Sequence, residues 1–407
     1  MPTEADEGGI RPQRIEFIRE TERGTTPADP DWELYSDAIQ SFSWTPDASA
    51  ERQDAVGNYL PVGFFSNNES HELNVTYHLQ RWLVDGSGNS VDAANDGISR
   101  NSDNQVKNTH SIVAREEHSE AGGTADSGRR IYVVVKGGRV ETVEFPFTTD
   151  RSLPIEVSLD YMAEKARAYN VSQPSSSTTL DVVSSDSSDT TQTLTIEDEG
   201  AGTTEDVSLN GTTTVPTSAP FADIDAAELD AECAGDVTIE DGSGNVLLTI
   251  YGQDSYEHGE GDLGIPALGG GSHASALGTD YEIFSGDTFQ ATTGSLGGTG
   301  ARVISGSMTV SNNMGSDAQV GTSRRYIYAQ DQTLEVGAEV AGPESNVTQI
   351  RQHLQSDTFV LEWTADGGTI TFTGGEMMDA GEVVKEANAA RNSLDQTFEF
   401  SGITIST

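Results

Sequence analysis

The sequence predicts a mainly β protein: two β-barrel or sandwich modules with little helix, and a smaller β-sandwich inserted between them. Three observations carry this. Apolar residues alternate with polar ones in RRIYVVVKGGRVETVEFPF (129–147), LPIEVSLDY (153–161) and DTFVLEWTADGGTITFTGG (357–375), the period of strands with one buried face. Turn formers punctuate these runs, with 43 glycines in all. Three short signals also recur in one order on either side of a segment with its own composition.

The elements follow in order. The first module spans 1–172. Its aromatic opening, with Trp32, Tyr35, Phe42, Trp44, Phe64 and Phe65, reads as core or subunit contact rather than a ligand platform. A polar run rich in Gly, Asn, Ser and Glu, about 85–128, reads as a long exposed loop. The inserted segment, 173–266, offers STTLDVV, TLTIED, EDVSLNG, GDVTIED and NVLLTI; short strands so spaced suggest a small antiparallel sandwich. SQPSSSTT before it and GEGDLGIPALGGGSHA after it read as linkers. DGSGN occurs at 85–89 and 241–245, and the second copy, flanked by β-runs, predicts a hairpin. DAAELDAE (225–232) and ESNVTQIRQHLQS (344–356) are the helix candidates, the latter with Val347, Ile350 and Leu354 on one face. The second module spans 267–407.

The recurring signals suggest duplication. SFSWT (41–45) answers SGSMT (305–309), and HELNVTYHL (71–79) answers QTLEVGAEV (332–340), with Leu73 and Val75 matching Leu334 and Val336. VVVKGGRVETVEF (133–145) answers the strand–GG–strand of WTADGGTITF (363–372).

Charge restricts the setting. The chain of 407 residues has a formal net charge of -44, with four lysines (107, 136, 165 and 385). Between Arg167 and Arg302 there are 23 Asp and Glu residues and no Lys or Arg. Such a surface repels itself in dilute salt, where the Debye length is about 8 Å, and is tolerated at molar salt, where it falls to roughly 3 Å. A salt-saturated cytoplasm or brine is the expected environment. No basic footprint for nucleic acid is present. No apolar run approaches membrane-spanning length, and MPTEADEGGIRPQRIEF has no signal-peptide core. Cys233 is the single cysteine, which excludes an intrachain disulfide.

No catalytic centre, cofactor site or metal site is predicted, and an enzyme is not expected. HELNVTYH (71–78) lacks the His spacing of a zinc-protease helix, and on a strand His71 and His78 point to opposite faces. GEGDLG (259–264) satisfies a phosphate-loop spacing, but Pro266 and further glycines follow where a helix is needed. The histidines at 110, 118, 258, 273 and 353 are scattered among polar residues.

Two β-rich halves around an inserted sandwich resemble the tail tube proteins of long-tailed viruses. The resemblance is carried by WELYSDAIQSFSW (32–44), LPIEVSLDYMAEKA (153–166), VISGSMTVSNNM (303–314) and EANAARNSLDQTFEFSGITI (386–405). The middle segment, STTLDVV through NVLLTI, is similar to the immunoglobulin-like domains that decorate viral tails and capsids. With the acidity, this implies a haloarchaeal virus. The resemblance further implies stacked rings forming a hollow tube that conducts the genome during ejection. Rings would hold three chains if both halves are tube modules, six if only one is. Terminator, tape-measure and baseplate proteins would be neighbours, and DNA would pass without specific binding. Assembly would occur in the host cytoplasm, and the mature location would be the virion tail. A capsid or decoration protein of such a virus, or a halophile surface protein of S-layer or adhesin type, is the alternative.

Overall fold

The computed structural model of the chain describes residues 14–27, 31–47, 50–53, 63–66, 70–100, 108–117, 129–148, 154–255, 260–267, 289–293, 302–318, 325–329, 331–342, 359–363, 368–379, 383–384 and 392–407. It is mainly β, built from several antiparallel sheets that close no barrel among the described residues. Among the described residues no helix is long and apolar enough to cross a membrane. The helix candidate at 344–356, the histidines at 118, 258, 273 and 353, and the side chains of Phe64 and Phe65 lie outside the described residues.

The first module contributes β1 (Arg14–Arg19), β2 (Glu33–Leu34), β3 (Ile39–Asp47), β4 (Ala50–Gln53), β5 (Gly63–Ser66), β6 (Ser70–His78), α1 (Ala93–Ile98), β7 (His110–Glu117), β8 (Arg129–Thr148), β9 (Glu156–Ala163) and β10 (Lys165–Ser172). The expected 85–128 loop is therefore interrupted by α1 and β7. Asp92 caps α1 by accepting from the Ala94 amide at 2.9 Å, and HSIVAREE forms β7 against β1 and β8. The insert supplies β11 (Leu180–Ser184), β12 (Thr193–Asp198), β13 (Thr203–Ser208), β14 (Val215–Pro216), β15 (Ala226–Leu229), β16 (Val237–Asp241), β17 (Val246–Ile250) and β18 (Gly264–Ile265). These form two four-stranded sheets, β14-β11-β16-β17 and β13-β12-β15-β18, around a core of Leu180, Val182, Leu194, Ile196, Ile239 and Leu248. DAAELDAE is not a helix: Ala226, Ala227 and Leu229 are buried in β15, paired between β12 and β18. GEGDLG is not a free linker either, since Gly264 and Ile265 pair with β15 and Asp262 is buried.

The second module holds β19 (Phe289–Thr293), β20 (Arg302–Ser311), β21 (Met314–Ala318), β22 (Arg325–Ala329), β23 (Thr333–Gly342), β24 (Phe359–Trp363), β25 (Gly368–Thr373), β26 (Glu376–Asp379), β27 (Val383–Val384), β28 (Asn392–Phe400) and β29 (Gly402–Ser406). It repeats the pairing of the first, apart from β2 and with the long β8 answered by β25 and β26–β27. One layer is β3-β6-β9 in the first module and β20-β23-β28 in the second. The facing layer is β1-β7-β8-β10 in the first and β19-β24-β25-β29 in the second. A hairpin lies between the first two strands of the first layer in both, β4–β5 and β21–β22.

Register makes the equivalence residue-specific. Trp44 lies across from Leu73, which lies across from Tyr161; Met308, Val336 and Phe398 form the same row. The strand bend at Gly137–Gly138 recurs at Gly374–Gly375, with φ of 67° at Gly137 and 68° at Gly374. This left-handed conformation suits glycine. A side chain at Gly137 would meet Glu164, and one at Gly374 would meet Ser401, its counterpart. The sequence matches are corrected accordingly. Leu73 corresponds to Val336 rather than Leu334, and Gly137–Gly138 corresponds to Gly374–Gly375 rather than Gly367–Gly368. The SFSWT and SGSMT match is in register.

The modules are fused edge to edge. Beyond its bend, β8 pairs with β9 on one side and with β20 of the second module on the other. The result is one antiparallel sheet in the order β3-β6-β9-β8-β20-β23-β28. Asn312 ties the joint: its amide donates to the Gly97 carbonyl at 2.8 Å and the Val140 carbonyl at 2.9 Å. Its oxygen accepts from Arg100 at 2.9 Å and Gln332 at 3.1 Å.

Candidate assembly surfaces

Period-two alternation gives the shared sheet one buried and one open face. Leu73, Val75, Val157, Leu159, Val143, Phe145, Met308, Val310 and Val336 fill one continuous core. The residues between them, Glu72, Asn74 and Thr76 on β6, Ser158 and Asp160 on β9, Glu144 on β8, Ser307 and Thr309 on β20, and Glu335 and Glu339 on β23, line the other face. Arg139 and Arg302 fall at opposite ends of these strands. The open face is knitted by side chains. Asn74 donates to Ser158 at 3.0 Å and to Asp160 at 2.7 Å, and Ser305 donates to Glu339 at 2.9 Å. Partial burial, with Glu72 and Asp160 nearby, raises the Glu141 carboxyl above its ordinary range. Such a wall offers a polyanion hydration but few countercharges.

The facing layer of each module has an outer side, and here the two copies diverge. In the first module Val113, Tyr132, Val134, Tyr169 and Val171 share a core with the insert. At the equivalent positions of Tyr132, Val134 and Tyr169 the second module carries Thr369, Thr371 and Ser406, none of them buried. The insert thus lies on the side of the first module away from the open face, over an apolar patch its twin does not need.

Charge reinforces that contact. Arg130 pairs with Asp225 at 2.6 Å and Asp223 at 3.4 Å, and Arg115 reaches Asp225 at 3.4 Å. Lys136 pairs with Glu228 at 2.9 Å, Lys165 with Glu232 at 3.4 Å and Arg167 with Asp262 at 2.9 Å. Two of the four lysines serve this seam, where side chains of Asp225 and Asp262 are 5% and 1% exposed. Burial raises the Asp223 carboxyl, with Arg130 pulling against it. Pairs this buried are shielded less by salt than surface pairs.

The residues singled out for chemistry are placed as follows. His71 is buried beside Trp44, with ring centroids 6.0 Å apart, whereas His78 lies on the open-face side of β6. Trp32 and Tyr35 are buried, and Phe42 and Trp44 pack on the core. His110 departs from the expectation of polar, scattered surroundings. Fully buried, it sits 3.0 Å from Asp96 and 3.2 Å from the Tyr161 hydroxyl, which accepts from Tyr35 at 3.0 Å. Arg19 donates to Asp96 at 2.7 Å. Burial alone would raise the Asp96 carboxyl, but His110 and Arg19 outweigh it and bring it to about 2. Burial drives the Tyr161 hydroxyl well above its ordinary value. With no exposed surface on His110 or Asp96, this network acts as a brace between layers. Sequence reading missed it because its members, Arg19, Asp96, His110 and Tyr161, are far apart in the chain. Among the described residues no group of three His, Cys, Asp or Glu is placed to hold a metal.

A scan against protein-family models finds no match, and a search of curated proteins finds no similar sequence.

Proposed function

We propose that the chain is the tube subunit of a long-tailed virus adapted to high salt. Three copies would form a ring of six modules, and stacked rings would form the hollow tube through which the genome passes. The observation that carries this reading is the fusion of two topologically equal modules into one sheet whose open face is predominantly polar, with Met162 and Pro146 its apolar members. In the ring that face lines the lumen, where Ser, Thr, Asn and carboxylates let DNA slide without binding. The insert, on the far side of the facing layer, projects outward and presents a hydrated acidic surface to the brine. Terminator, tape-measure and baseplate proteins would meet the tube at its ends.

Electron microscopy of the purified chain in multi-molar salt tests this. Hollow tubes are expected, dispersing on dialysis to about 0.1 M salt as the screening length grows. Monomers or flat lattices in multi-molar salt would contradict it and favour a decoration or surface-layer protein.

A further inference from the structure

The shared sheet ends in two edges that lack strand partners among the described residues: β3, which pairs with β6, and β26–β27, which pair with β28. The internal joint shows what each edge would accept. There β8 lies between β9 and β20. In the repeat β20 is the counterpart of β3, and the far half of β8 is the counterpart of β26–β27. Even the irregularity is copied. The β8·β9 ladder shifts between Val140 and Thr142, and the β26·β28 ladder shifts between Met377 and Asp379. Met378 corresponds to Glu141, whose carbonyl accepts from Asn312 of the second module at 2.7 Å. Glu141 is half-buried beside that strand, whereas Met378 is 61% exposed. The first module's joint is filled, and the second module's is open.

We infer that the partner of β26–β27 is strand β3 of a second copy of this chain, added antiparallel in the register that β8 and β20 already use. The inference rests on the tube reading for its setting, and it fixes which edges meet and how. In the joint Thr142 faces Ser311, Met308 faces Phe145 and Ser307 faces Pro146. Translated through the repeat, Asp47 faces Asp379 of the neighbour, Trp44 faces Val383 and Ser43 faces Val384. Between Asp379 and Val383 the translated register carries one residue more than the joint does between Thr142 and Phe145. The contact is head to tail, so each copy offers one edge and uses the other, and the assembly closes into a ring if the rotation allows.

Directly opposed residues of an antiparallel pair have Cα atoms about 4.5–5.5 Å apart, within reach of a disulfide. The test uses the full chain with Cys233→Ala, carrying Ser43→Cys and Val384→Cys together, assembled in high salt and then oxidised. A ladder of covalent multimers on a reducing-agent-free gel is expected. Mixing chains that carry Ser43→Cys alone with chains that carry Val384→Cys alone should give dimers only. Pairing Ser41→Cys with Val384→Cys moves one thiol along the strand by about 7 Å and should crosslink severalfold less. Ser43→Cys dimers from the single variant would mean a symmetric contact and overturn the inference. Tubes that form normally under reduction, yet give no Ser43–Val384 crosslink, would overturn the junction and leave the tube reading standing. Absence of tubes from the Cys233→Ala chain, together with no crosslink from the chain that also carries Ser43→Cys and Val384→Cys, would overturn the two together.

Discussion

Asp96 shows what one residue can hold. Its carboxylate, fully buried, meets Arg19, His110 and Asn108, so losing its charge leaves all three partners without compensation. Because its pKa in the fold, about 2, lies below the ordinary 3.8, its contribution is fully present above about pH 4. That contribution, on the order of 2 kcal/mol, is lost as pH falls toward 2. Denaturant unfolding of the parent chain and Asp96→Asn across this range should give curves that converge toward low pH. A gap constant with pH would contradict the assignment. The substitution itself should cost about 3–5 kcal/mol near neutrality, the range for breaking a buried pair. Cys233, buried and with its thiol pushed up to about 12 by burial, is in contrast a small apolar filler.

At the scale of elements, the decisive contrast lies between twin strands. β8 and β10 carry Tyr132, Val134 and Tyr169 where β25 and β29 carry Thr369, Thr371 and Ser406. Each such apolar side chain stabilises the docked insert by about 1.5–3 kcal/mol. Deleting residues 174–264 should therefore do more than remove a passenger: it bares that patch, and the shortened chain should aggregate. Adding Tyr132→Thr, Val134→Thr and Tyr169→Ser should restore a soluble chain that still assembles. Light scattering and microscopy of the two deletions read the difference, and equal solubility would contradict the docking account.

Much of this level was legible in the sequence. The alternation in LPIEVSLDY and RRIYVVVKGGRVETVEFPF gave β9 and β8, because one face of each is uniformly buried. DAAELDAE misled, since Ala226, Ala227 and Leu229 at helical spacing are equally the buried residues of a four-residue strand. The repeat points to the wrong glycine pair because Gly367–Gly368, like Gly137–Gly138, follows and precedes a β-run in the sequence, and only pairing with β9 and β28 identifies the true counterpart. The seam between Lys136 and Glu228 was hidden by 92 residues of separation, although the absence of any Lys or Arg in the insert was its visible half.

At the scale of the whole molecule, a net charge of -44 is arranged rather than scattered. The open face of the shared sheet is acidic and hydroxylated, the seam beneath the insert absorbs Arg115, Arg130, Lys136, Lys165 and Arg167, and the insert carries acid outward. In the proposed tube this arrangement would give assembly a direction. One edge of the sheet is β3 and the other β26–β27, and the fused middle supplies a worked example of their union. Since each chain brings two modules but one insert, a ring built this way has an inner wall with twice as many repeats as outer lobes.

End-on class averages of tubes in multi-molar salt test that directly. Six wall modules surrounded by three outer lobes are the expected image. An equal number of modules and lobes, or particles without a central hole, would contradict it.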